Sequence, residues 1–305
     1  MATSIDIHIL GCYAATPGTF KNPTSQVLQI RNHLFLIDCG EGTQVALRRN
    51  KIKFARIKHI FISHLHGDHF FGLIGVISTF SLLKRTAPLT IYGPKGIKEI
   101  ILLQLKLSKA WTSYPLHFIE LESKESQCIY EDDKLSVTTI PLKHRIYANG
   151  FLFQEKEGER KLNIDAAQQL GVDQVYYRKI KQGGDAILDD GTSIPNAQLT
   201  YDPEPAKSYA YCSDTAYHQP IIDQLKGTTI LYHEATFLES HKHLTEITGH
   251  STAKEAATIA QKAKVQHLIL GHYSTRYPDI EAFKEEAQEI FPNVQLADDG
   301  TLFTF

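Results

Sequence analysis

The segment Ile57-Lys58-His59-Ile60-Phe61-Ile62-Ser63-His64-Leu65-His66-Gly67-Asp68-His69 sets how the rest of the chain is read. Residues 57–62 form a short apolar run, the pattern of a buried strand. His64 and His66 are two residues apart, so in extended backbone they point to one side. Asp68 and His69 then turn the chain and offer an oxygen and a nitrogen to a neighbouring position. Neutral imidazole and carboxylate are ligands that borderline cations such as Zn2+ prefer. Three histidines and an aspartate within six residues make poor core filler, because each polar group needs a partner once buried. A helix is expected to follow, over residues 72–83.

Outward from this segment, apolar runs and alternation place strands at 4–10, 26–30, 33–37, 89–92, 117–121, 128–130, 135–140, 149–154, 208–212, 229–232, 267–270 and 294–297. Helical spacing is expected at 95–105, 252–263 and 280–290. Thr252 and Glu255 have the T-x-x-E spacing of a capping box at the start of the second of these. Strands mixed with helices in both halves argue an α/β fold with sheets covered by helices. Residues 155–202 break the pattern. They are polar, carry Gly158, Gly171, Gly183-Gly184 and Gly191, and suggest one short helix (164–170) and a hairpin. Insertions of this length inside compact domains are usually functional.

Hydrophobic residues make up 42% and charged ones 22% of the 305, an ordinary globular composition. Lys plus Arg is 32 against 34 Asp plus Glu, a net charge of −2, which excludes a globally basic nucleic-acid binder but leaves room for a local basic patch. No stretch approaches the ~20 apolar residues that span a bilayer. Met1-Ala2-Thr3-Ser4-Ile5-Asp6 has no basic region leading into an apolar run, so no signal peptide is expected. Cys12, Cys39, Cys128 and Cys212 form no C-x-x-C pair and are expected as reduced thiols in a cytoplasmic protein.

The H-x-H-x-D-H pattern after a strand resembles the signature of the metallo-β-lactamase superfamily. Extended to His-Leu-His-Gly-Asp-His-Phe-Phe-Gly-Leu, it resembles the ribonuclease Z family, endonucleases that mature the 3′ end of tRNA. Further segments resemble that family's motifs in order: Pro141-Leu142-Lys143-His144-Arg145, Tyr211-Cys212-Ser213-Asp214-Thr215, His233-Glu234-Ala235-Thr236, Gly249-His250-Ser251-Thr252, and the block from Leu270 through Gly271-His272 to Tyr277. The resemblance implies a single αββα sandwich domain over 1–305 with an inserted flexible exosite arm at about 155–202. It implies two Zn2+ per subunit, one held by His64, His66 and His144, the other by Asp68, His69 and His272, with Asp214 bridging. His144, Asp214 and His272 each follow an expected strand, so all three can converge on one sheet edge.

Two metals side by side can clamp a phosphate during in-line displacement. Asp68 would help position or deprotonate the attacking water. His250 would protonate the leaving ribose 3′ oxygen, and Glu234 would orient His250 and raise its pKa. The implied products are a tRNA with a 3′-hydroxyl and a trailer with a 5′-phosphate. The resemblance also implies a homodimer, while the lack of a spanning apolar stretch leads us to expect no membrane partner.

Two groups of cations are candidates for RNA contact. The run 48–58 contains Arg48, Arg49, Lys51 and Lys53, then Arg56 and Lys58, with no acidic residue. The arm carries Arg178, Lys179 and Lys181 beside Tyr176-Tyr177, and lacks the Gly-Pro usual in the family at its tip. Phosphate contacts need such local patches even on an acidic protein. Two rivals stand beside the endonuclease reading: a small-substrate hydrolase of the same fold, and a non-catalytic RNA-binding module. The insertion and the segments 233–236 and 250–252 speak against the first, and the complete ligand set against the second. His8, His59, His117 and His267 are expected to be structural, and His241-Lys242-His243 exposed.

Overall fold

The computed structural model describes residues 4–16, 18–19 and 21–305; residues 1–3, on which the reading of the N-terminus partly rests, lie outside the described residues. The first half runs β1 (Ile5–Gly11), β2 (Ser25–Ile30), β3 (His33–Ile37), α1 (Thr43–Arg49), β4 (Ile57–Phe61), α2 (Gly67–Phe70), α3 (Leu73–Leu82), β5 (Leu89–Pro94), α4 (Ile97–Leu107) and β6 (Leu116–Leu121). Next come β7 (Cys128–Glu131), β8 (Leu135–Pro141) and β9 (Asn149–Glu155). The inserted segment holds β10 (Lys161–Leu162), α5 (Ile164–Gln169), α6 (Tyr177–Lys181), β11 (Ala186–Ile187), β12 (Ser193–Ile194), α7 (Asn196–Leu199) and β13 (Thr200–Tyr201). The chain closes with β14 (Ser208–Cys212), β15 (Ile230–Glu234), α8 (Thr245–Thr248), α9 (Ala253–Ala263), β16 (His267–Gly271), α10 (Glu281–Gln288), β17 (Val294–Leu296) and β18 (Leu302–Thr304).

Among the described residues the strands form two seven-stranded sheets, in the orders β18-β1-β2-β3-β4-β5-β6 and β17-β16-β15-β14-β9-β8-β7. Alternation decides which face is buried. Ile5, Ile7 and Ile9 of β1 point inward, with Asp6 and His8 between them. They meet Phe35, Phe61, Phe151, Phe153, Tyr209 and Tyr211 in a core between the sheets. The outer face of the first sheet packs on α3 through Leu73, Val76, Ile77 and Phe80, and on α4 through Ile97, Ile101 and Leu105, each set on one face of its helix. Each such side chain, once buried, stabilises the fold by roughly 1.5–3 kcal/mol. On the other side α9 turns Ala253, Ala256, Ala257, Ala260 and Ala263 into the core, small residues that let the helix lie close to the second sheet. The result is the expected αββα sandwich. The capping box at Thr252 and Glu255 is formed in full.

Three features differ from the sequence expectation. Residues 43–49 form α1, and residues 302–304 form β18, which pairs with β1. The inserted segment is also more structured than one helix and a hairpin. Ala167, Val172, Ile180, Ala186, Ile194 and Leu199 make a small apolar cluster of its own.

Strand direction positions the site. β3 and β4 run parallel in the first sheet, and β14, β15 and β16 run parallel in the second. β8 shares their direction because β9 is antiparallel to both β8 and β14. The C-terminal ends of all six strands meet at one edge, tied across the sheets by the bond from Asn149 N to Ser63 O (3.0 Å). The inserted arm leaves β9 and enters β14 at the opposite edge, about 20 Å away along a seven-residue strand.

Candidate metal centre

Each expected ligand lies just beyond a strand at that common edge. His64 and His66 follow β4, and Asp68 and His69 sit on the short α2. His144 follows β8, Asp214 follows β14 and His272 follows β16. Asp214 (φ 40°) and His272 (φ 60°) hold left-handed backbone, as does Asp38 (φ 54°) at the end of β3. Asp and His tolerate this region better than most residues, and such conformations cluster at functional sites.

The ligand atoms form two adjoining groups. One comprises His64, His66, His144 and Asp214, the other Asp68, His69 and His272, and within each the ligand atoms lie within 4.8 Å of one another. Asp214 faces both. Its Oδ1 is 3.1 Å from His69 Nε2 and 3.1 Å from His272 Nε2, while its Oδ2 is 3.5 Å from His64 Nε2 and 3.8 Å from His144 Nε2. Asp68 Oδ2 is 3.5 Å from His69 Nε2 and 3.6 Å from His272 Nε2. Ala15 N also donates to Asp68 Oδ2 (2.9 Å).

Outer partners fix the tautomers, as assigned from the hydrogen-bond network. His144 Nδ1 donates to the carbonyl of Gly249 (2.8 Å), and His69 Nδ1 donates to Asp38 Oδ2 (2.7 Å). Ser63 Oγ donates to Asp38 Oδ2 (2.8 Å), so it accepts from His64 Nδ1 (3.0 Å). Thr236 Oγ1 donates to Glu234 Oε2 (2.7 Å), so it accepts from His272 Nδ1 (3.0 Å). Each of these four rings therefore presents an Nε2 lone pair to the centre. The Nε2 atoms of His69 and His272 are buried without a hydrogen-bond partner, although carboxylate oxygens lie close by. Lone pairs aimed at carboxylates are repulsive unless a cation lies between them, so the residues present fit a metal centre.

The electrostatics agree. Burial lowers the pKa of His64, His66 and His144, keeping these imidazoles neutral and ligand-ready. His69 is the exception. Burial lowers its pKa too, but Asp214, Asp38 and Asp68 outweigh that and hold it well above the ordinary value, the mark of surplus negative charge around one ring. Burial raises Asp68 and Asp214, yet the surrounding histidines hold both below the usual carboxylate range.

His250 stands beside this centre. Its ring lies 5.2 Å from that of His272 and 5.2 Å from that of His144. His250 Nδ1 donates to Glu234 Oε1 (2.8 Å). Glu234 is fully buried and also accepts from Thr215 N, Thr236 N and Thr236 Oγ1. Burial lowers the His250 pKa, but the Glu234 charge and hydrogen bond, with help from Asp214, raise it to about 9.

Sequence reading missed Asp38. It is fully buried and accepts from His69 Nδ1, Ser63 N, Ser63 Oγ and Tyr211 Oη (2.6 Å). Its signal was an aspartate directly after an apolar strand, in Leu34-Phe35-Leu36-Ile37-Asp38.

The cationic candidates do not line the ligand groups. Arg48, Arg49, Lys51 and Lys53 are exposed between the last turn of α1 and the start of β4, and Arg49 borders a hollow with Leu10, Asn22 and Asp299 at the C-terminal end of β1, on the side of the ligand groups. Arg56 there bonds Gln29 Oε1 and Asn32 O at the β2–β3 turn. Arg178, Lys179 and Lys181 are exposed on α6 of the arm, with Ile180 turned into its core. His241 bonds Tyr277 Oη (2.8 Å) and takes no part in the centre, while His59 packs against Tyr130 and Phe35.

Comparison with known proteins places this geometry. Residues 5–190 match the family described as anti-Pycsar protein Apyc1. The chain is 47% identical over 299 residues to the ribonuclease Z of Bacteroides thetaiotaomicron, covering 98% of this chain and 95% of that one. The crystal structure of human tRNase Z, short form, superposes with a TM-score of 0.70 and 27% identity over 98% of each chain. The metallo-β-lactamase fold protein YhfI of Bacillus subtilis shares the fold, with a TM-score of 0.68 at 17% identity over the whole of both chains.

Proposed function

The chain belongs to the ribonuclease Z family, and over residues 5–190 to the Apyc1 family, and is a metal-binding endoribonuclease of the metallo-β-lactamase fold; we propose that it removes the 3′ trailer from precursor tRNA using two zinc ions held by seven side chains. The observation that carries this is the pair of adjoining ligand groups beside the His250–Glu234 pair. His64, His66 and His144 would hold one ion and Asp68, His69 and His272 the other, with Asp214 facing both groups. Divalent ions bound there supply Lewis-acid charge to the phosphate and lower the pKa of the attacking water.

The chain's own residues do the rest. Asp68 stays ionised, so it would serve as a ligand and orient the attacking water. His250, held protonated by Glu234, offers Nε2–H to the ribose 3′ oxygen as its bond to phosphorus breaks. The tRNA keeps a 3′-hydroxyl and the trailer takes a 5′-phosphate. The inserted arm, residues 155–202 of a single domain, lies toward the edge opposite the centre, where the body of a tRNA would extend once its 3′ end is in place, and the exposed run Arg48, Arg49, Lys51 and Lys53 after α1 adds phosphate contacts. Arg178, Lys179 and Lys181 supply the arm's phosphate contacts.

The protein acts as a homodimer. α3 and α4 cover one face of the first sheet, and Leu82, Leu83, Leu103, Leu107 and Trp111 stay exposed on and beside them, an apolar surface suited to a second copy. We assign the protein to the cytoplasm on its four free cysteines, the state of thiols in a reducing compartment. The test is a precursor tRNA with a 3′ trailer incubated with and without chelator, beside a small phosphodiester. Chelator-sensitive cleavage at the trailer junction supports the reading; hydrolysis of the small substrate alone transfers the protein to the small-molecule hydrolases.

A further inference from the structure

The two legs of the arm meet at its root, and the root holds a partly buried ion pair. Glu155, the last residue of β9, is 2% exposed. Arg31, in the β2–β3 turn of the other sheet, reaches it with Nε 2.7 Å from Oε1 and Nη2 3.1 Å from Oε2. The same Oε2 accepts from the backbone N–H of Lys207, where the chain returns from the arm (3.0 Å). Glu155 N donates to Lys207 O (3.0 Å), closing the two legs of the arm on each other. One carboxylate thus joins both legs to each other and to the opposite sheet. Arg31 holds left-handed backbone (φ 54°), which aims its side chain from the turn toward the arm root.

We infer that the Arg31–Glu155 pair is a positioning element for substrate: it fixes the direction in which the arm leaves the sandwich and so sets the distance between the arm's basic face and the metal centre. This rests on the arm being the tRNA-gripping exosite. The guanidinium meets the carboxylate at two points, a hydrogen bond through Nη2 and a close ionic contact through Nε, and two points of contact fix orientation as well as distance, which a lysine at the same place does less well. Other root contacts each hold one leg alone: Lys156 Nζ to Glu131 (2.7 Å) is exposed and screened, Lys156 N donates to Lys134 O (2.7 Å), and Lys207 Nζ donates to Phe305 O (2.9 Å). The pair lies at the edge opposite the metals, so its loss leaves the centre's geometry alone.

The test uses the full-length, metal-loaded enzyme with Arg31→Asn, which removes the guanidinium while tolerating left-handed backbone, and with Arg31→Lys and Glu155→Gln. For Arg31→Asn and Glu155→Gln, KM for precursor tRNA should rise about tenfold, an ordinary size of coupling between separated sites, with kcat unchanged. Hydrolysis of bis(p-nitrophenyl) phosphate should be unaffected, and trypsin should cut faster at Lys156, Arg160 or Lys161. Arg31→Lys should fall between the wild type and Arg31→Asn on each readout. An unchanged KM alongside faster tryptic cleavage overturns the inference, as does a parallel loss of small-substrate activity. A variant with residues 157–206 replaced by a short linker judges the exosite reading by itself: if it binds precursor tRNA normally, that reading fails whatever the point variants do.

Discussion

Replacing Glu234 by Gln should make the enzyme's activity collapse at alkaline pH and recover in acid. In the wild type, burial pushes the His250 pKa down, and the Glu234 charge with its 2.8 Å hydrogen bond more than reverses this, to about 9. Gln keeps the shape and an acceptor for Nδ1 but removes the charge, so the His250 pKa should fall to the ordinary ~6.5 or below. That difference corresponds to about 3 kcal/mol. A general acid works only while protonated. At pH 8 the protonated fraction should drop from roughly nine-tenths to roughly 3%, a ~30-fold loss in kcat, while at pH 6 the two enzymes should agree within about a factor of two. The assay is single-turnover cleavage of precursor tRNA from pH 5.5 to 9.5, with metal content measured on the same samples. Glu234 also accepts from Thr215 and Thr236, so some stability should be lost at every pH. A loss of equal size at pH 6 and pH 8 would refute the reasoning and leave Glu234 as a tie between loops.

Three further outcomes are expected. Asp38→Asn, which weakens the outer partner of His69 and Ser63, should lower metal affinity ~10–100-fold, checked by chelator competition, with precursor-tRNA binding unchanged. Replacing Arg178, Lys179 and Lys181 together by Gln should flatten the salt dependence of precursor-tRNA binding, the slope of log affinity against log salt falling by roughly 2–3, while small-phosphodiester hydrolysis persists. The proposed homodimer should give a dimer mass in light scattering and Leu107→Asp a monomer mass; a wild-type monomer would refute the dimer, and an unchanged dimer mass in the variant would place the interface elsewhere.

The centre was legible because its ligands sit at strand ends. His64, His66, Asp68 and His69 follow one apolar run within six residues, and His144, Asp214 and His272 each follow another, so two facing sheets whose strands end at a common edge bring them together. Asp38 was harder to see because a lone aspartate after a strand looks like any turn residue, and only burial with four donors gives it a role. The arm's small core escaped because its apolar residues come singly, from Ala167 to Leu199, in two-residue strands and single-turn helices too short to show a period. β18 is three residues long and pairs with β1 across almost the whole chain, a contact that local pattern cannot carry. The run 48–58 directly precedes β4 in sequence, yet β4 carries the chain across the sheet before His64, so Arg56 at the start of that strand bonds the β2–β3 turn, far from the centre.

The most direct test of the account is to map the ends produced from a precursor tRNA carrying a 3′ trailer. It predicts one cut at the trailer junction, leaving a 3′-hydroxyl on the tRNA and a 5′-phosphate on the trailer, and no cut by Asp214→Ala. An enzyme with its full complement of metal that leaves this RNA intact, or cuts it to a 3′-phosphate or cyclic phosphate end, would contradict it.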